Sequence, residues 1–149
     1  MGFFDNIESI ETKGLELEFE GRFTRGLRSR ISYSIQHSED ATTGLVLAGA
    51  PKRLAKLNLI APIYLEKIFT GLELQHLSGR KTLLGNDSGD YLLANLTLFS
   101  HELVRGLELS ASVYNLFDKK YFHSGSPEHL QDRIQQDGRT FQIKANYRF

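Results

Sequence analysis

The residues best equipped for chemistry fall in two places. One stretch, between Asp118 and Gly138, holds His123, Glu128, His129 and Asp132. Imidazole and carboxylate are ordinary metal ligands. Their spacing, however, fits no defined metal motif, and the same residues suit a solvated loop. The second place is the run Ser100-His101-Glu102. A nucleophile, a base and an acid are present, yet direct neighbours on a strand end point to different sides. The sequence has no glycine-rich phosphate loop and no H-E-x-x-H helix motif. No catalytic constellation emerges, and the expectation is a protein that is not an enzyme and carries no cofactor.

Composition narrows the classes further. The chain has 149 residues, with 18 Lys+Arg against 18 Asp+Glu, and 40% are apolar. Such a length ordinarily means one domain. A balanced charge removes the usual electrostatic case for a nucleic-acid partner. There are no cysteines, so disulfides, thiolate metal sites and cysteine nucleophiles are excluded. The longest apolar run, Leu59–Leu65, is far below the ~18 residues of a membrane helix. Met1–Ile10 has two acids and no base, unlike a secretory signal.

The elements that carry these residues follow a period of two. Seven segments alternate: Gly14–Thr24, Leu27–Ser38, Arg53–Ala61, Ile68–Ser78, Asp90–Ser100, Gly106–Phe117 and Arg139–Phe149. The last is the cleanest, with Phe141, Ile143, Ala145, Tyr147 and Phe149 on one face. Each segment has about ten residues, which exceeds the usual ~5–6 of soluble strands and fits the ~9–11 of tilted membrane strands. The three prolines, Pro51, Pro62 and Pro127, are expected between segments. The string G-L-E-L at Gly14, Gly71 and Gly106 reads as a strand opening just past a turn. Connections alternate short and long, so one end of a meander is trimmed and the other carries loops. That asymmetry is expected of an outer-membrane barrel.

Two sequence features favour an apolar face toward lipid over one turned into a soluble core. It carries no charge in mid-strand. Aromatics also gather toward segment ends, with Phe23, Phe69, Phe99, Tyr147 and Phe149 at the trimmed end. Tyr91, Tyr114, Phe117, Tyr121 and Phe141 gather at the loop end, as two interfacial girdles would, although Phe99 and Tyr114 fall on the polar face by strict parity. The opposite face carries Glu16, Glu18, Glu20, Arg28, Arg30, Lys56, Glu73, Arg80, Lys144 and Arg148. Cross-strand ion pairs are expected between Glu16, Glu18 and Glu20 and the facing Arg28 and Arg30.

At its end the sequence becomes recognisable. Val113-Tyr114-Asn115-Leu116-Phe117-Asp118-Lys119-Lys120-Tyr121 resembles the N-L-F-D-x-x-Y segment of TonB-dependent outer-membrane receptors. Ile134-Gln135-Gln136-Asp137-Gly138-Arg139-Thr140-Phe141 resembles the I-x-Q-D-G-R-T-F that follows it, and Lys144–Phe149 a terminal strand ending in Tyr-x-Phe. Gly14-Leu15-Glu16-Leu17, Tyr33-Ser34, Pro51 and Ser78-Gly79-Arg80 add weaker matches. The resemblance runs from about Asn6 to Phe149.

The resemblance implies an all-β, antiparallel up-and-down meander of about seven long strands, part of a 22-stranded transmembrane β-barrel with a plugged lumen. Residues 1–149 would form the C-terminal part of that barrel, with plug and N-terminal strands absent. Its parent would import a ferric siderophore or similar scarce nutrient across the bacterial outer membrane, and this piece alone would be inactive. The implied partners are outer-membrane lipid, the barrel-assembly machinery, an iron complex as ligand, and TonB and the plug through the missing part. Phe141, Ile143, Tyr147 and Phe149 would form the barrel-assembly signal. Two other architectures fit the residues: a complete eight-stranded outer-membrane barrel using Phe3–Glu11 as an eighth strand, and a soluble β-barrel binding module.

Overall fold

Alternation with period two forces an extended backbone, because only a strand sends successive side chains to opposite faces. The computed structural model describes residues 9–65, 67–102 and 104–149. Seven strands form one antiparallel sheet: β1 (Ile10–Arg22), β2 (Arg28–Asp40), β3 (Arg53–Tyr64), β4 (Ile68–Leu77), β5 (Tyr91–Ser100), β6 (Leu107–Tyr114) and β9 (Thr140–Tyr147). Their order in the sheet is their order in the chain. A two-stranded hairpin, β7 (Phe122–Ser124) with β8 (Arg133–Gln135), stands within the last long connection. Phe3–Glu8, most of the candidate eighth strand, lies outside the described residues. Ile10 and Glu11 from the same stretch open β1. Among the described residues β1 and β9 form the two edges and do not pair with each other.

Register fixes the two faces. Leu17 lies opposite Tyr33, Leu57 opposite Leu74, Leu72 opposite Leu96, and Ala111 opposite Ile143. On the other face Asn58 meets Glu73, Glu73 meets Asn95, and Ser110 meets Lys144. A slip of one residue would exchange the faces wholesale, so the alternation specifies the pairing.

The short connections lie at one end. At the first, Thr24–Gly26 form a single 3-10 turn, with Arg25 and Gly26 both at positive φ (62° and 78°). Glycine adopts that backbone without steric cost, whereas Arg25 crowds its Cβ against the carbonyl. Four local expectations are corrected. Pro62 sits inside β3, not between strands. It falls where the β3–β4 register shifts between Pro62 and Tyr64, and such an irregularity spares the missing N–H. Gly14 and Gly71 lie within strands rather than at their openings; Gly106, at φ 76°, is the one directly before a strand. The Asp118–Gly138 loop contains the β7–β8 hairpin. Finally, Phe69 and Tyr91 join Phe99 and Tyr114 on the polar face by register. The girdle pattern is therefore incomplete: position near a strand end does not decide which face a side chain takes.

Candidate functional site

The polar face is concave. A cavity of about 570 Å³ is lined by Arg28, Ile60, Phe69, Phe99, Ser110 and Lys144 among others. Those side chains come from six strands, β2 to β6 and β9, so the sheet must curl with this face inside. Phe69 and Phe99 stack there at 5.3 Å between ring centroids. The apolar face is thus convex and bare. Leu17 is 57% exposed, Leu98 49% and Ile143 84%, and no large side chain is fully buried among the described residues. Water would penalise each such Leu, Ile or Phe by about 1.5–3 kcal/mol relative to an apolar surrounding. A soluble barrel puts its apolar face inside; this sheet does the reverse, and that arrangement suits lipid outside.

Charges on the concave face are paired in part. Arg30 donates from Nε and Nη2 to one oxygen of Glu18, at 3.1 and 2.8 Å. Glu18 is the diagonal neighbour, since Glu20 is the residue directly opposite Arg30. Glu20 instead meets Arg22 on its own strand at 3.4 Å. Glu16 and Arg28 join no ion pair among the described residues, so the expected ladder reduces to one cross-strand pair.

The last two motifs meet at the root of the final long loop. Asn115 is buried, at φ 50°. Its backbone N–H donates to Asn95 Oδ1 at 2.9 Å. Its side-chain oxygen accepts the Lys119 N–H at 2.8 Å, and its Nδ2 donates to the Lys119 and Asp137 carbonyls at 2.9 and 3.4 Å. Asp118, also left-handed at φ 52°, accepts the Arg139 N–H at 2.8 Å. An added Cβ at Gly138 would come within 2.7 Å of that Asp118 oxygen. The Asn-Leu-Phe-Asp and Asp-Gly-Arg motifs are therefore one structural clasp that starts and ends the loop.

Within the loop the four candidate ligands separate. Asp132 accepts from Thr82 Oγ1 (2.8 Å), Asn86 Nδ2 (2.9 Å) and the Leu84 N–H (3.2 Å), tying the hairpin to the β4–β5 connection. Those bonds, led by the one from Asn86, hold its carboxyl below the ordinary carboxylate range. His129 turns to Ser126, and Glu128 is exposed. His123 faces Tyr91, with Nε2 at 3.2 Å from the hydroxyl. Burial first, and Arg80 second, push its pKa down. Ser100-His101-Glu102 also disperses: Ser100 Oγ meets the Leu109 backbone, and His101 Nδ1 lies 3.3 Å from Glu108.

The sequence-level reading missed a group of side chains at the loop end of the concave face. Arg80 Nη2 donates to the buried Tyr91 hydroxyl at 3.1 Å. The Tyr121 ring packs 4.7 Å from Tyr91 and 5.7 Å from His123, centroid to centroid. Burial raises the Tyr121 pKa, with Tyr91 and Asp137 adding to it. Arg80 and Tyr91 are eleven apart and His123 thirty-two beyond Tyr91, so only the packing of two long loops over the start of β5 brings them together.

The terminal residues of β9 are exposed on the convex face, Phe141 at 73% and Tyr147 at 64%. Ile143 shares that face, and Tyr147 packs against Phe149 at 6.4 Å.

Comparison with known proteins decides the fold. The chain superimposes on the ferric-catecholate import receptor Fiu from Escherichia coli K12 with a TM-score of 0.78 at 22% identity, over 94% of this chain and 21% of that one. Receptor barrels share this fold. The copper transporter OprC matches with a TM-score of 0.78 at 19% identity, over 95% and 24% of the two chains. The ferripyoverdine receptor of the outer membrane of Pseudomonas aeruginosa matches at 0.73 and 19%, over 93% and 19%. This chain thus spans about a fifth to a quarter of each receptor. No family model and no curated protein sequence matches it.

Proposed function

We propose that this chain is the C-terminal part of the barrel of a TonB-dependent receptor in the bacterial outer membrane, whose whole form imports an iron complex. The observation that carries the reading is the inverted amphipathicity: a curled meander with charge on the concave side and bare Leu, Ile, Val and Phe on the convex side. The likeness to iron and copper receptors supports the choice among barrels. The terminal motifs support the position within the barrel. On this reading the convex face meets lipid, and the concave charges line the lumen and face the plug. TonB acts through the part of the receptor outside this chain.

The open edges support a second element of the proposal, that the chain alone does not transport. Unpaired backbone groups in hydrocarbon cost several kcal/mol each, and β1 and β9 each leave one side without a partner strand among the described residues. The test is expression with an outer-membrane leader, followed by heat-modifiability and protease resistance of the membrane fraction. The expected result is no stable closed monomer from this chain alone. A protease-resistant, heat-modifiable monomer would favour a complete small barrel instead.

A further inference from the structure

The loop end of the concave face carries a cation without a counter-ion. Arg80 Nε is buried and meets no acceptor. No carboxylate oxygen pairs with its guanidinium within 4.0 Å among the described residues. A guanidinium with a buried, unpaired N–H ordinarily has an anionic partner close by, because leaving desolvated charge unpaired is costly. The head group also borders a cleft of about 260 Å³, walled by Tyr91, Tyr121, His123, Leu77 and Leu93.

The walls say what kind of anion fits. Tyr91 and Tyr121 offer ring surface, and two leucines continue it, so most of the lining is apolar or aromatic. Arg80 brings a positive charge and guanidinium N–H groups to the lining, which suit a carboxylate or a phenolate. The volume is below the ~300–1,000 Å³ of sites for drug-sized ligands. It suits one ring and one acid group, not an entire chelate. A metal ion is disfavoured by the adjacent guanidinium charge.

We propose that Arg80, Tyr91, Tyr121 and His123 form a subsite for a planar aromatic acid, with the acid oxygens on the Arg80 guanidinium and the ring against the two tyrosines. As part of a ligand path this deepens the receptor reading and rests on it. The Tyr91 hydroxyl accepts from Arg80, which leaves its own proton for His123 Nε2. That chain anchors the guanidinium, so Tyr91 and His123 position Arg80 as well as line the site.

The test uses the full chain, ¹⁵N-labelled at arginine in detergent micelles, with benzoate as the probe. Benzoate is expected to shift the Arg80 Nε–H resonance saturably, and cyclohexanecarboxylate to need at least tenfold more for the same shift. Arg80→Lys keeps the charge but loses Nε–H, so its binding is read by tyrosine emission, with at least tenfold weakening expected. The chain has no tryptophan to mask that emission. Tyr121→Ala is expected to lower affinity by a similar factor, and Lys56→Gln, on another part of the concave face, to leave it unchanged.

No saturable shift in a chain with intact β-sheet circular dichroism overturns the subsite. So does an equal response to inorganic phosphate, which would mean a bare anion site. Tight binding of ferric ion in place of benzoate would also overturn it. Failure here, with no closed monomer of this chain in membranes, sinks the subsite alone. Binding here together with a protease-resistant, heat-modifiable monomer of this chain sinks the receptor reading alone.

Discussion

Asn115, directly after β6, makes three side-chain hydrogen bonds at the root of the last long loop. It holds a left-handed backbone, spans the turn to Lys119 and reaches the returning chain at Asp137. Asn tolerates that backbone better than most residues. Asn115→Ala should therefore destabilise the folded protein by about 2–3 kcal/mol, since buried backbone groups lose their partners. Urea unfolding in micelles measures this; a change within ~0.5 kcal/mol would mean that the clasp is dispensable. Asp132 makes a pH prediction. Its folded pKa is lowered, so its contribution is complete above the ordinary carboxylate range and is lost as pH falls through the folded value. His123, also lowered, loses its contribution earlier, as pH falls below the ordinary imidazole range. Protease nicking between Ser126 and Gln131 should thus rise in two steps on acidification, and Asp132→Asn should remove the second. Little of this was legible beforehand. The motifs around Asn115 and Asp118 stood out as a resemblance, but which side chain bonds which carbonyl depends on two segments about twenty residues apart. In the sequence Asp132 looks like a solvated loop residue, because its partners, Thr82 and Asn86, lie on another loop.

Strands were the most legible feature, because alternation reports both the element and its face. All seven long strands fall where the period of two puts them, within a few residues at each end. Ends were less certain, since β1 begins at Ile10 and β6 stops at Tyr114, where capping and bulges decide, not hydropathy. Pro62 was misplaced because a register shift cannot be read from one strand alone. The two faces make a paired prediction. Leu57 points outward between Ile31 and Leu74, whereas its neighbour Asn58 points inward beside Glu73. Leu57→Arg should cost about 2–4 kcal/mol in a bilayer, and Asn58→Arg far less. The folded fraction of the receptor-length protein in lipid vesicles, read by heat-modifiability, measures both. Equal losses would contradict the assignment of faces. Gly106 gives a further case at a strand start. It has positive φ, and an added Cβ would collide with the Arg148 carbonyl, so Gly106→Ala should weaken the β6–β9 pairing and lower the unfolding midpoint.

At the scale of the molecule, two edges and two ends organise everything else. The edges at β1 and β9 call for neighbours, and β9 carries the aromatic terminus. Deleting Phe149 from the receptor-length protein should lower its outer-membrane level several-fold, by immunoblot of membrane fractions; an unchanged level would leave Phe149 as an ordinary lipid-facing residue. The trimmed end has turns of a few residues, while the loop end is cross-braced. Gly49 N–H donates to the Lys81 carbonyl at 2.8 Å, and Asp132 grips Thr82 and Asn86. Three long connections thus form one connected layer. Formal neutrality in the sequence conceals this segregation, because both signs sit together on the concave face. The bracing also makes the stretch beyond it expendable. Asp132 fixes the stem of the β7–β8 hairpin, and the tip around Leu130 is fully exposed. A foreign epitope spliced into that tip should be displayed on the cell surface by the intact receptor, with the barrel beneath serving as an undisturbed pedestal.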